Sequence, residues 1–391
     1  ETAQLEILSR GENLVFCRTQ PMDKQKLIRM LQFQNEVPAM TGDGVNDAPA
    51  LQQAAIGVAM GITGTEVSKE ASDMILADDN FATIVAAVEE GRCIYNNMQA
   101  FICFLISCNL GEIATVFFST LIGLPDPLTP LQLLWVNLVT DGPPATALGF
   151  NPPDPMAMSK PPRNRSSPIM SKWLLTRFML TGLYVGAATI GITVWWYLDN
   201  GVMPGQLRRW GSCADFYPPP LVGSFCPSGL DLVAEPELFD VMNPCSIFGG
   251  RAKMKVQTLA LSTLVCMEML KALSAVSVDS SILITPPWKN PALIIGCAVP
   301  FLLHLAVLKI PSMGTIFGLV PLTGKDWYRI AVCAIPVVLV EEILKATGRY
   351  LDYTSRIDNN ENNHNNNNKN TAVGGVTSEE KEEEGPSSST E

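Results

Sequence analysis

The run Thr41-Gly42-Asp43-Gly44-Val45-Asn46-Asp47-Ala48-Pro49-Ala50-Leu51 sets two carboxylates and an amide in one short, glycine-rich turn. Asp43 and Asp47 offer the hard oxygen ligands that magnesium takes beside a phosphate. Gly42 and Gly44 are expected to permit backbone angles closed to other residues and to let the main chain approach a bound group. The plain alternative is a tight turn whose Asp caps a helix.

A second group of polar residues lies inside apolar segments, where each carboxylate is costly and therefore a functional candidate. Asn109 and Glu112, in Ser107-Cys108-Asn109-Leu110-Gly111-Glu112, are three apart and share a helix face. Asn137, Thr140 and Asp141 stand at i, i+3 and i+4, and the Gly142-Pro143-Pro144 that follows should break the helix and release backbone carbonyls. Glu268 is a lone acid in the middle of a later span. The set is three carboxylates, two amides and a hydroxyl, with no His or thiolate placed among them. All-oxygen donors suit calcium better than zinc or copper. Interhelical hydrogen bonding is the competing use of such groups.

The elements that must hold these residues follow from periodicity. Residues 1–90 read as α/β, with strands at 13–17, 37–40, 56–60 and 73–77 and helices at 22–34 and 48–54, implying part of a parallel, Rossmann-like sheet. From residue 81 to 123 one helix starts amphipathic and turns apolar after about residue 99, the pattern of a stalk that enters a membrane. Further apolar spans at 128–149, 173–198, 255–276, 292–309 and 327–346 bring the expected membrane bundle to six helices, with Trp and Tyr near several ends. An even count puts the soluble domain and the tail on one side. The basic 150–172 loop then faces the cytosol and the cysteine-bearing 199–254 loop the lumen.

Composition agrees. The chain has 391 residues, is 47% hydrophobic, and carries a formal charge of −11. Residues 358–391 hold 8 acidic and 2 basic residues, so they supply −6 and the remainder only −5. With no basic stripe, nucleic acid is not an expected partner. The tail from 351, rich in Asn, Glu and Ser, is expected to be disordered. Among ten cysteines, Cys213, Cys226 and Cys245 share a polar loop where a disulfide is plausible, with the pairing open. Glu341 and Glu342 read as interface residues at the end of the last span.

The Thr41–Leu51 run resembles the hinge motif of the P-type ATPases, within the haloacid-dehalogenase superfamily of phosphoryl-transfer domains. Together with Asn109-Leu110-Gly111-Glu112, the stretch from Asn137 to Asp154 and the lone Glu268, it is similar to the sarco/endoplasmic-reticulum-type calcium pumps from residue 1 to about 350. That resemblance implies the end of a phosphorylation domain (1–90), a stalk with the fifth transmembrane helix (81–123), and helices six to ten (124–350). It implies magnesium at Asp43, a hinge-holding role for Asp47, neutralisation of phosphoryl charge by Lys24, and nucleotide or phosphate contacts from Arg18 and Asn46. For calcium it implies one site from Asn109, Glu112, Thr140, Asp141 and Glu268, and a second drawing on Asn137 and Asp141. Having acids at both Glu112 and Glu268 points to the two-calcium type. The disulfide it implies is Cys213 with Cys245. An ATP-driven pump in the endoplasmic reticulum is the implied whole.

The family's phosphorylated Asp, in Asp-Lys-Thr-Gly-Thr, is absent from this sequence, as are the actuator domain, the nucleotide-binding domain and helices one to four. The chain is therefore expected to be a fragment that is inactive alone. The alternative is a non-catalytic membrane protein that binds cations or associates with full-length pumps.

Overall fold

The computed structural model describes residues 8, 14–152, 157–159, 168–213, 238, 244–277, 281–351 and 354. The chain divides into two compact units, Glu1–Gln99 with Pro152–Ser171, and Ala100–Asn151 with Lys172–Glu391. Residues 358–391, Cys226, and the loop cations Lys160, Arg163 and Arg165 lie outside the described residues.

In the first unit, helix α1 (Pro21–Phe33) opens with proline in its first turn and a reciprocal cap between Gln20 and Asp23. Strand β1 (Ala39–Gly42), helix α2 (Ala48–Gln53), strand β2 (Ile56–Met60), helix α3 (Glu66–Glu70) and strand β3 (Met74–Leu76) follow. The strands pair in the order β1-β2-β3, all parallel, with Thr41 opposite Val58 and Ala59 opposite Ile75. Parallel neighbours need a crossover, and the two short helices supply it. Val58, Met60 and Leu76 form the core, with Met74 and Ile84 against them.

The strand expected at 13–17 is absent over its described part. Leu14–Cys17 takes no regular structure, and Val15 is 84% exposed. A short apolar run looks the same in sequence whether or not a neighbour exists to bond it, and no strand pairs with this one among the described residues.

Helix α4 (Ala82–Ile122) runs unbroken for 41 residues, and the boundary between the units falls inside it. The second unit is helical. Helix α5 (Pro130–Trp135), a π-helical turn (Val136–Thr140) and helix α6 (Gly142–Leu148) occupy the expected 128–149 span. Helices α7 (Lys172–Asp199), α8 (Gly250–Ser274) and α9 (Pro291–Lys309) follow, and then α10 (Gly324–Ala334). A turn at Ile335 separates α10 from a further helical stretch, 336–351. Pro336 explains the break, having no N–H for the carbonyl one turn back.

Four helices among the described residues are long and apolar enough to cross a membrane: α4, α7, α8 and α9. The 128–149 and 327–346 spans are helical but interrupted. Helix α8 has 83% of its most apolar window buried against 33% for α9, so α8 is the centre of the bundle. Outward stripes such as Ile113, Phe117 and Leu121 on α4, or Leu175, Met179 and Leu183 on α7, present exposed hydrocarbon, as a lipid-facing surface requires.

Ion pairs fix the directions of the helices. Near its start, α7 pairs Arg177 with Glu341 at 2.6 Å, and at its end Asp199 meets Arg329 of α10. Lys255, near the start of α8, lies 2.6 Å from Asp326, while Lys345 donates to the Ser274 carbonyl at the end of α8. Helix α7 is therefore antiparallel to both α8 and the α10 segment. One expectation changes. Glu341 is not an interface residue but is buried, accepting from Arg177 and from the Thr181 hydroxyl at 2.9 Å. Lys255, at the start of the expected 255–276 span, has its ammonium paired inside the bundle.

Candidate functional site

In the first unit, Asp43 follows directly on β1, at the carboxyl end of a parallel strand, the usual position for ligands in open α/β sheets. The buried Asp47 carboxylate takes a charged hydrogen bond from Lys24 Nζ at 2.5 Å, which ties α1 to the loop. Gly42 is needed by close approach, since a Cβ there would stand 2.6 Å from Cβ of Asp47. Gly44 has φ of −105° and ψ of 160°, an extended conformation any residue adopts. The expectation of special backbone angles at both glycines is thus replaced by one steric requirement at Gly42.

Asp43 is exposed, and its carboxylate has no hydrogen-bond partner among the described residues. Its carbonyl anchors the loop instead, accepting from Thr65 N at 2.8 Å and Ser68 Oγ at 3.0 Å. Asn46 is exposed in the same loop, and Arg18 is exposed with φ of 56°, in the sparsely populated left-handed region. Neither hydrogen-bonds the Lys24–Asp47 pair among the described residues.

Asp79, not singled out by sequence, ties down the loop after β2. Its carboxylate accepts from Ile62 N at 2.9 Å, Thr63 N at 2.8 Å and Thr63 Oγ1 at 2.8 Å. The bond from the Ile62 amide is the main reason this carboxyl is held below the usual carboxylate range. Two adjacent acids just after a strand, Asp78-Asp79, were the available signal.

The second unit gathers the membrane acids. Glu112 on α4, Thr140 and Asp141 at the π-helical turn, and Glu268 on α8 are all buried. The turn closes through Asp141 N to Val136 O at 2.9 Å, a five-residue step. This wider ring aims Thr140 and Asp141 inward together, and the polypeptide re-enters a helix at Gly142. The break therefore precedes the prolines expected to cause it. Pro143 and Pro144 occupy the first turn of α6, where a missing N–H costs little, yet they offer none to the carbonyls of Val139 and Thr140.

Six buried oxygens here have no hydrogen-bond partner: Glu112 Oε1, Thr140 Oγ1, both carboxylate oxygens of Asp141, and both of Glu268. Such orphans are rare in folded proteins because each forfeits its hydration. Ligand atoms of Cys108, Asp141 and Glu268 lie within 4.8 Å of one another. The cluster can therefore hold a cation through oxygen donors. Asn137 sits at its edge, with its amide donating to Glu112 Oε2 at 2.7 Å. Asn109 is exposed and donates to its own helix at the Leu105 carbonyl, 2.9 Å, so it does not join the buried acids here.

Two members of the cluster were missed by sequence. They are Cys108 and Lys271, and the available signal was that Lys271 lies three residues after Glu268 in an apolar span. Lys271 Nζ donates to Cys108 Sγ at 3.5 Å. Beside the cluster, α4 and α7 cross at glycines. A Cβ on Gly111 would meet Val185 at 2.7 Å, and one on Gly186 would meet Ala114 Cβ at 2.8 Å. Gly182-x-x-x-Gly186 is a small-residue motif for close helix approach in membranes. In the second unit Cys213 and Cys245 are joined by a disulfide, with Cα atoms 5.7 Å apart.

The family model described as "Cation transporting ATPase, C-terminus" matches residues 125–347, more than half of the chain and most of the helical unit, beginning after α4. The chain belongs to this family of cation-transporting ATPases. Among curated members of such proteins, it is 49% identical over 355 residues to "Calcium-transporting ATPase 4, endoplasmic reticulum-type" of Arabidopsis thaliana, covering 88% of this chain and 33% of that protein. It is 48% identical over 361 residues to "Calcium-transporting ATPase 2, endoplasmic reticulum-type" of the same plant, with the same coverage. To a "Calcium-transporting ATPase" of Plasmodium falciparum it is 46% identical over 349 residues, covering 88% of this chain and 27% of that protein. The chain thus spans about a third of the length of the plant relatives.

Proposed function

We propose that this chain is the C-terminal portion of an ATP-driven calcium pump of the endoplasmic reticulum membrane. The observation that carries the reading is the set of buried, unpartnered carboxylate oxygens of Glu112, Asp141 and Glu268 within membrane helices. Oxygens left without partners in a low-dielectric interior are costly unless a cation meets them, and hard oxygen donors in this number suit calcium. Glu112, Thr140, Asp141 and Glu268 would bind the transported ion, with Asn137 completing coordination in one or two sites and Asp141 shared between them; Asn109 would join on turning its amide away from the Leu105 carbonyl. The names of the relatives support calcium as the cargo and ATP as the energy source.

At the sheet, the exposed Asp43 carboxylate at the end of β1 fits a magnesium ion, which when bound would offset the charge of phosphoryl oxygens. Lys24 would place a cation next to that group while held by Asp47, and Arg18 and Asn46 would contact nucleotide or phosphate. The sheet would be the end of a Rossmann-like phosphorylation domain occupying residues 1–90. Helix α4, continuous from Ala82 to Ile122, would serve as stalk and fifth membrane helix, so that an event at the sheet changes ion affinity near Glu112. The interrupted helices at 128–149 and 327–346 would complete a bundle of six spans. That even count keeps the soluble domain and the tail in the cytosol and the Cys213–Cys245 loop in the lumen. The actuator domain, nucleotide-binding domain and helices one to four would be supplied by the rest of the pump.

The test uses the full-length protein containing this chain. Glu112→Gln should strongly weaken both calcium binding and calcium-activated ATP hydrolysis, whereas Asp43→Asn should block turnover and leave calcium binding largely intact. Unaltered calcium dependence in the Glu112→Gln protein would refute the ion-site assignment.

A further inference from the structure

Lys271 is anomalous among the buried cations of the bundle. Arg177, Lys255, Arg329 and Lys345 each have a carboxylate within 4 Å: Glu341, Asp326, Asp326 with Asp199, and Glu342 respectively. Lys271 is 3% exposed, yet no carboxylate oxygen lies within 4 Å of its ammonium among the described residues. A lysine inside a membrane helix ordinarily extends its stem to reach the interface. This one instead donates to the thiol of Cys108 at 3.5 Å. That sulfur lies within 4.8 Å of ligand oxygens of both Asp141 and Glu268. Lys271 also lines a cavity of about 30 Å³ with Ser107, Arg177 and Glu341, room enough for water.

The charges around the ion site then read differently. Glu112, Asp141 and Glu268 contribute three negative charges if all are ionised, and the ammonium is bonded to the sulfur that adjoins two of them. One fixed positive charge leaves a balance equal to that of a single divalent ion.

We propose that Lys271 is a resident counter-cation of the ion site, which lowers its affinity for divalent ions and limits the charge the three acids can hold. It is a specificity-determining residue, acting by charge and without contacting the cargo. The other buried cations, each already paired, cannot take this role.

The inference rests on the pump reading, and equilibrium binding of radioactive calcium without ATP separates the two. In the full-length protein, Lys271→Met removes the charge while keeping an unbranched stem, and Lys271→Arg keeps the charge. Even at an effective dielectric of about 20, a unit charge within roughly 8 Å of a divalent ion shifts binding by more than tenfold. The half-saturating calcium concentration should therefore fall at least about tenfold in Lys271→Met and stay within about twofold of wild type in Lys271→Arg. Should Lys271→Met misfold, Lys271→Gln is read by the same measure. Affinity unchanged or weakened in the neutral variants overturns the counter-cation role. Absence of calcium binding in the wild-type protein overturns the pump reading itself.

Discussion

The glycine crossing of α4 and α7 makes a prediction with its own control. At Gly186 an added Cβ would stand 2.8 Å from Ala114 Cβ and 3.2 Å from the Thr115 backbone nitrogen. Carbon atoms prefer roughly 3.5–4.0 Å, so Gly186→Ala is short by about 1 Å against partners that include main chain. Gly191 lies on the same helix, and a Cβ there meets nothing within 4 Å. Both substitutions gain the same helix propensity, about 1 kcal/mol for Gly to Ala. That gain cancels between them and leaves overpacking, about 1–3 kcal/mol, as the difference. Gly191→Ala should therefore be neutral or slightly more stable than wild type, and Gly186→Ala less stable than Gly191→Ala by that amount. Because Gly111 in this crossing adjoins Glu112, parting the helices by about 1 Å also moves a proposed ligand, and calcium affinity should weaken only in Gly186→Ala. Denaturant unfolding in detergent and equilibrium calcium binding are the two assays. Equal stability of the two variants, within about 0.5 kcal/mol, would refute the close-approach argument.

Removing the Glu341 carboxylate takes away a charge that pairs the buried Arg177 guanidinium at 2.6 Å. Glu341→Ala should cost about 3–5 kcal/mol in unfolding measurements, and a loss under 1 kcal/mol would mean the pair is solvated. Cys245→Ser should lower stability by about 2–4 kcal/mol through loss of the link to Cys213, and wild-type protein unfolded in reductant should match it. Asp79 has its pKa lowered from 3.8 by the Ile62 amide, so its contribution is complete above that pH and is lost as pH falls below it. The Ile62 and Thr63 amides should exchange faster with solvent deuterium as pH falls below 3.8, beyond the intrinsic trend, and Asp79→Asn should remove that dependence.

Much of the fold was legible because it is local. Ile56–Met60 was expected as a strand and is one residue for residue, since a run of four buried residues is bounded by small residues and glycine. The 41-residue helix was legible from composition, with bounds one residue inside the expected 81–123. The strand expected at 13–17 failed because pairing requires a partner that no local pattern specifies. The Asn137–Thr140–Asp141 spacing was read on an ordinary α-helix, and a π-helical turn re-aimed it, leaving Asn137 at the edge and the other two inside.

For the ion site, the sequence by itself determined which acids sit in apolar helices, because hydrophobic length and charge are properties of single segments. It could not determine that Cys108 and Lys271 join them, or that Asn109 faces outward, because those facts depend on which helix faces meet. Three segments far apart in sequence bring Cys108, Asp141 and Glu268 within 4.8 Å, and that convergence exists only in the packed bundle. The same packing turned Glu341 from an expected interface charge into half of a buried ion pair. Hydropathy scores each charge against a uniform solvent, whereas tertiary structure supplies the partner that makes its burial affordable.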